Sequence, residues 1–483
     1  MSITLHENTD SSIFFFFFFE EIIQLLRPMV FQRIAVFNPR GSYEGKIRSL
    51  DDSRVELISS SDFLSEDKFT KLSNTPRLST ISKVRIQFND QNTEKIPFTK
   101  YQVGVNVYCT PRVTKGGTFS KEKFQEELSL LFETLYPLNS SAWISTRDDV
   151  YFYLPEFSTQ QFIEALGVSD KEFSINTTQP FDIDYSYDGE LSVLSLFGKT
   201  KEGLLIEKQE NTKKEVGLFG IEEEMSLRDE LAFSGVRVVM DSENVNSKNA
   251  DSIHRTLLQI SPRQRRLEGQ LKSTIEDNGL HPMLHSSFST SYPRDESLKE
   301  CKLFYYLVLD KNVFVDPYQI PDLMTLLFNF GSKNLEAPEY SLKEWGNEIL
   351  MEVKETENIT LPLHTRYQLP QVRGKDRYIK KSINSPIIFY GCDVKPGTNL
   401  QGNPFDRKDK AGGNYERFFT EDSVFYHPET VHNTLLITFP TATAPPNYIN
   451  FLVIMVLLVG IVIIIYPLFF RRPKVISSTK KKE

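Results

Sequence analysis

Cysteine is scarce in this sequence: 483 residues hold only Cys109, Cys301 and Cys392. None stand at CxxC spacing, which excludes a zinc ribbon, and an odd count allows at most one internal disulfide. Tryptophan is scarcer still, with two against 37 Phe and 20 Tyr. Clustered positive charge is missing from the body. The last 13 residues, Arg471 to Glu483, carry six basic side chains and one acidic, so the overall charge of -8 leaves the rest of the chain at -13. An acidic body without a basic, aromatic-lined groove excludes a nucleic-acid binder.

Strong catalytic motifs are absent too. There is no GxSxG, no P-loop, and no GxGxxG in a strand–turn–helix setting. Asp182-Ile183-Asp184 is a DxD triplet, the metal–nucleotide-sugar ligand of many glycosyltransferases, but no βαβ frame surrounds it. The plainer reading is a turn or strand-end acid pair. His281 and His285 have the i, i+4 spacing of a zinc-binding helix. Pro282 and the Ser-rich surroundings argue against a helix and for loop histidines. Arg263, Arg265 and Arg266 cluster near Gln270 and read as a solvated face or helix end. Contact with lipid headgroups or phosphate is the sharper alternative. No catalytic residue, metal ligand or cofactor is assigned.

What is present is strand pattern. Aromatic and β-branched residues favour sheet. Val84 to Phe88, Val103 to Val107 and Val150 to Leu154 read as strands, as do Cys301 to Leu309, Ile359 to Leu363, Ile387 to Tyr390 and Leu435 to Phe439. Phe124, Leu128, Leu131 and Leu135 recur at helical spacing, with Ser120 as an N-cap. Short strands separated by Pro, Gly and Asn predict a mainly β chain of antiparallel, sandwich-like domains. The polar stretch Asp241 to Ser252 suggests a boundary, and Gly397 to Asn414 a long mobile loop. Cys109 lies on an apolar strand and reads as a buried thiol.

Phe451 to Phe470 is a run of 20 residues without a charge. At 1.5 Å per residue it covers about 30 Å, the thickness of a bilayer core. Pro467 is tolerated in such a helix, and Tyr448 and Tyr466 stand where aromatic belts occur. The flank before it, TFPTATAPPNYIN, is uncharged, and the flank after it is basic. The positive-inside rule keeps the tail cytosolic and the body lumenal. Lys480 and Lys481, fourth and third from the end, resemble a dilysine retrieval signal of endoplasmic reticulum membrane proteins. A tail-anchored protein with a cytosolic body has the same layout. Ile13 to Phe19 is too short and too acidic in its flanks for a signal peptide. Residues 1–28 therefore read as a low-complexity extension, with Met29 as the working start. Sequons at Asn139, Asn176 and Asn358 support a lumenal body.

The second half carries an ordered set of blocks. Gly279-Leu280-His281-Pro282 is followed by Cys301-Lys302-Leu303, then Val313 to Gln319. Leu335 to Tyr340 precedes Trp345-Gly346. Leu363-His364-Thr365-Arg366-Tyr367 precedes Pro370, and Ile387 to Cys392 leads towards the apolar helix. Over residues 275–470 this order resembles the PIG-X family and its fungal relatives. The stretch from Met29, VFQRIAVFNPRGSYE, is similar to the fungal N-terminal start.

The resemblance implies a non-catalytic subunit of glycosylphosphatidylinositol (GPI) mannosyltransferase I. That complex adds the first mannose to the GPI precursor on the lumenal side of the endoplasmic reticulum. The implied partner is a polytopic catalytic subunit of the PIG-M type. The expected organisation is a mainly β lumenal domain over 29–245, a linker region over 246–274 and a PIG-X-like sandwich over 275–440. A linker over 441–448, a membrane helix over 449–470 and a cytosolic tail over 471–483 follow. Tyr318, Trp345, His364, Arg366 and Tyr367 are candidate partner contacts, since Trp, Tyr and Arg are enriched at hot spots. Their alternative is core and strand-edge packing, with Arg366 paired to Asp316 or Glu339. Cys301 and Cys392, each on a strand of this half, are the expected disulfide. Two other functions stand beside this one: a general lumenal folding or quality-control factor, and a single-span glycosyltransferase using Asp182 and Asp184.

Overall fold

The computed structural model describes residues 30–38, 44–58, 64–72, 79–89, 104–112, 121–133, 144–145, 150–154, 181–187, 190–197, 204–209, 212–222, 231–241, 253–354, 357–370, 377–396, 400, 415–431, 435–443 and 446–470. The sequons at Asn139 and Asn176, the 1–28 extension, the 471–483 tail with Lys480 and Lys481, and nearly all of Gly397 to Asn414 lie outside them.

The first half supplies β1 (Val30–Asn38), β2 (Ile47–Leu50), β3 (Arg54–Leu57), β4 (Leu64–Leu72), β5 (Ile81–Asn89), β6 (Gly104–Pro111) and β7 (Ile144–Ser145). It continues with β8 (Val150–Leu154), β9 (Phe181–Ser186), β10 (Glu190–Phe197), β11 (Leu205–Glu207), β12 (Thr212–Ile221), β13 (Leu231–Met240) and β14 (Ile253–Ile260). Helix α1 (Lys121–Glu133) follows β6. The second half supplies β15 (Gln264–Glu276), β16 (Met283–Thr290), β17 (Leu298–Asp310), β18 (Val313–Phe314), β19 (Met324–Gly331) and β20 (Gly346–Val353). Then come β21 (Asn358–Pro362), β22 (His364–Thr365), β23 (Tyr378–Ile383), β24 (Ile387–Val394), β25 (Ser423–Thr430), β26 (Leu435–Pro440) and the apolar helix α2 (Pro446–Phe470).

Two large sheets result. One has eleven strands ordered β14-β13-β12-β1-β4-β10-β9-β5-β6-β8-β7, and the other eight, ordered β19-β20-β17-β24-β25-β15-β16-β21. Pairing is antiparallel apart from β1 with β12 and β15 with β25, which run parallel. The fold is thus mainly β, as the alternation predicts. The expected linker over 246–274 differs from the structure. Ile253–Ile260 is the edge strand of the first sheet, and Gln264–Glu276 opens the second. In β15, Leu267 and Leu271 are buried core residues, so its apolar side chains are consumed by sheet packing rather than left in a connector.

The core explains the patterning of β17. Phe304, Tyr306 and Val308 join Val84, Val107, Tyr151 and Tyr153 of the first sheet in one cluster. Leu303, Tyr305, Leu307 and Leu309, on the opposite face, join Ile383, Leu435, Ile437 and Phe439 of a two-stranded β23–β26 ribbon. A strand buried on both faces reads as an apolar run instead of a clean alternation. Helix α1 adds Phe124 and Leu128 to the first cluster. Its Glu127 carboxylate accepts from the backbone N–H of Ser79 and Thr80, at 2.5 and 2.6 Å, which fixes the helix to the approach of β5.

An ion pair is buried where the sheets meet. Arg417 bonds to Glu348, which also accepts from the Tyr306 hydroxyl at 2.6 Å. The guanidinium lies over the rings of Tyr108 and Tyr151 of the first sheet, at 4.9 and 5.1 Å. Burial alone would depress the Arg417 pKa, but the Glu348 carboxylate beside it holds it above its usual value. Removing one partner of such a pair strands the other charge away from water.

Helix α2 contains Asn447–Pro467, a span long and apolar enough to cross a membrane, and none of it is buried against the body.

Candidate functional site

Four of the blocks singled out in the second half come together around β18 and β22: Gly279 to Pro282, Val313 to Gln319, Leu335 to Tyr340 and Leu363 to Tyr367. The turn after β15 is closed by the His281 N–H donating to the Asn278 carbonyl at 3.1 Å, with Gly279 at φ +63°. That conformation favours glycine, because a side chain there meets its own carbonyl. The turn after β17 is an Asx turn, in which the Asp310 carboxylate accepts from the Asn312 N–H at 2.9 Å and Nδ2 at 2.6 Å. Asp316 does the same for the N–H of Tyr318 at 2.9 Å. Short polar side chains thus fold these loops from within.

The two-residue ladder of β18 and β22 sets the centre of the cluster. It pairs Val313 with Thr365 and Phe314 with His364. The His364 ring stacks on Phe314 at 5.1 Å. Its Nε2 lies 3.0 Å from Gln319 Oε1, and its Nδ1 lies 3.0 Å from His281 Nδ1. With Gln319 accepting, His364 carries its proton on Nε2 and accepts from His281 at Nδ1. Burial holds the His364 pKa below 6.5. His281 adds to that depression, and Asp316 opposes it.

Arg366 is 3% exposed. Its Nη1 donates to the carbonyls of Asn334, Leu335 and Ala337 at 2.6, 3.3 and 2.8 Å, and its guanidinium covers Phe314 at 4.3 Å. The expected pairing with Asp316 or Glu339 is therefore replaced. Three carbonyls of one loop take the place of an acid, and Glu339 bridges Lys311 instead at 2.8 Å.

The five candidate contacts divide into a surface and a frame. Tyr318 is 91% exposed and Tyr367 63% exposed. His364, Arg366 and Trp345 are buried. Trp345 lies apart from the loops, against Tyr151 and Tyr153 at 5.5 and 5.3 Å, where the two sheets meet. Its place is in the core.

The remaining chemistry of the sequence is absorbed by structure. Asp182 is fully buried and takes the Arg85 guanidinium at 2.7 Å and Gln87 Nε2 at 3.1 Å. Asp184 faces Lys83 at 3.5 Å. Strand alternation puts both acids on one face of β9, opposite those cations across β5. His285 sits in β16 and bonds Glu276 and Thr360, separated from His281. Arg263 and Arg265 are buried, against the expectation of a solvated face. Arg263 donates to the Glu421 and Ser423 carbonyls, and Arg265 to Tyr426 Oη at 2.7 Å. Only Arg266 of the three is exposed. Among the described residues no group of His, Cys, Asp and Glu is arranged to hold a metal ion.

Cys301 stands directly opposite Cys392 across β17 and β24, with Cα atoms 4.1 Å apart and the sulfurs bonded. Cys109 is buried in β6. Asn358 is exposed and begins β21, the edge strand of its sheet. Sequence reasoning missed the His281–His364 contact and the Arg417–Glu348 pair. Each joins residues 83 and 69 positions apart, respectively, and no local pattern encodes such a meeting.

Residues 277–469 match the family described as PIG-X / PBN1. A protein of Debaryomyces hansenii named Protein PBN1 is 40% identical, across 94% of this chain and all of its own length. A Candida albicans protein of the same name is 34% identical over 93% of this chain and 99% of its own. A Neurospora crassa relative, Protein pbn1, is 28% identical over 58% of each. With near full-length similarity of this kind on both sides of the matched segment, the chain belongs to the PIG-X / PBN1 family.

Proposed function

We propose that this chain is a non-catalytic, stabilising subunit of GPI mannosyltransferase I, with its body in the lumen of the endoplasmic reticulum. Family membership supports a role in GPI-anchor biosynthesis. The observation that carries the finer reading is the exposed pair Tyr318 and Tyr367. Both rings project from loops that pack on a buried frame of His364, Arg366 and Phe314. Exposed tyrosines are among the residues enriched at the anchor points of protein interfaces. The partner is a polytopic catalytic subunit of the PIG-M type. A protein that binds the folded enzyme stabilises it by mass action, without any reacting group of its own. Among the described residues one helix, α2, is long and apolar enough to cross a membrane, and with the basic flank after it this supports a one-span topology with a lumenal body.

Tyr318→Ala combined with Tyr367→Ala tests the contact. Because both rings are exposed, the double variant is expected to stay folded and abundant. It is expected to recover less of the mannosyltransferase on affinity purification. Full recovery of the enzyme removes this face from the reading, and recovery of many unfinished glycoproteins in its place favours a general folding factor.

A further inference from the structure

We propose that the outer end of the β23–β26 ribbon, with Arg377, Tyr378 and Lys380, rests on the lipid headgroup layer beside α2. This rests on reading α2 as a membrane span.

The ribbon is antiparallel and pairs Tyr378 with Pro440. Pairing continues one residue further, where the Thr441 N–H donates to the Arg377 carbonyl at 2.8 Å. The other side of the ribbon is held as well: Asp277 accepts from the Thr438 N–H at 3.3 Å and hydroxyl at 2.7 Å. The body therefore grips the chain up to Thr441, and α2 begins at Pro446. Even fully extended, the five Cα steps between them cover only about 18 Å. The first five residues of α2 include Asn447, Tyr448 and Asn450, side chains suited to the polar zone of a bilayer rather than its core. Arg377 and Tyr378 are thus confined to within one short tether of the headgroups.

The side chains fit that position. Alternation along β23 turns Ile379, Lys381 and Ile383 towards the body and leaves Tyr378 and Lys380 outside. Ile383 is in the core, and Lys381 Nζ donates to Gln368 Oε1 at 2.9 Å. Tyr378 is 61% exposed, and Arg377 and Lys380 are exposed beside it. Two cations match lipid phosphates, and a Tyr ring between them matches the interface between headgroups and acyl chains. Such a contact fixes the tilt of the body on its short tether, where free rotation would leave the Tyr318 and Tyr367 loops without a set orientation to the membrane.

The test uses the full-length chain reconstituted in phosphatidylcholine vesicles, with and without phosphatidylserine, containing headgroup spin-labelled lipid. Tyr378→Trp is compared with Lys299→Trp, near the start of the thirteen-residue β17 and at the opposite end of the sheet. The two native Trp residues contribute equally to both. The proposal expects emission to be quenched at position 378 and not at 299, more strongly with phosphatidylserine, and weakened by Arg377→Glu with Lys380→Glu. Unquenched emission at 378 overturns it. So does a photo-crosslinker at 378 that captures a protein rather than lipid in native membranes. Carbonate extraction separates the two readings. A chain released by carbonate ends the membrane-span reading and this proposal with it. A retained chain with unquenched emission at 378 ends this proposal alone.

Discussion

His364 is the group through which acidity reaches the loop cluster. Burial and the neighbouring His281 lower its folded pKa below the unfolded value of 6.5. As pH falls, the unfolded chain takes up the proton first. The contribution of this residue to stability is therefore complete above about 6.5 and declines as pH drops towards the lowered folded value. Thermal melts are expected to show stability falling as pH drops below neutral, with His364→Gln flattening that slope. An unchanged slope in the variant assigns the effect to other groups. Arg366 has a different role. Its replacement by Ala leaves three loop carbonyls without their donor and removes the cover of Phe314. A loss of about 3 kcal/mol is expected in denaturant melts. A folded, fully stable Arg366→Ala chain would show that the buried guanidinium is dispensable to the frame.

Among the elements, the strands rich in aromatic and β-branched residues were the legible ones. Val150 to Leu154 is β8 to the residue, Ile359 to Leu363 overlaps β21 as far as Pro362, and Ile387 to Tyr390 and Leu435 to Phe439 fall within β24 and β26. Phe124 and Leu128 mark α1 because the apolar spacing i, i+4, i+7 from Phe124 to Leu131 is a helical period, whereas in a strand i+7 falls on the opposite face. β15 was not legible as a strand, since its run QRRLEGQLKSTIE has apolar side chains only at Leu267, Leu271 and Ile275, four positions apart, and its first residues are buried through their hydrogen bonds. The parallel pairings of β1 with β12 and of β15 with β25 had no local signal, because parallel partners are joined by long crossovers. The edge strand β21 carries a prediction of its own. Asn358 is exposed at its start, and in a lumenal body it is expected to carry glycan. Endoglycosidase should increase gel mobility, and Asn358→Gln should remove part of the shift. No shift at all, with the body open to protease in intact microsomes, supports a cytosolic body.

At the scale of the molecule, two sheets share one core, and a buried Arg417–Glu348 pair sits at their meeting. The second sheet carries the loop cluster on its ribbon end, from which the chain runs to α2. The polar stretch Asp241 to Ser252 was readable as a break in the chain, but the first sheet runs on past it to β14. That the halves pack through Tyr108, Tyr151 and Trp345 was not readable, because aromatic alternation looks the same in a separate core and in a shared one. The account makes this body an anchored partner whose exposed tyrosines support another protein's chemistry. Its most direct test is first-mannose transfer to the GPI precursor, measured with labelled donor in membranes from cells lacking this chain, alongside the level of the catalytic subunit. The account predicts a lowered enzyme level and a precursor that accumulates without mannose. Normal first-mannose transfer in those membranes would contradict it.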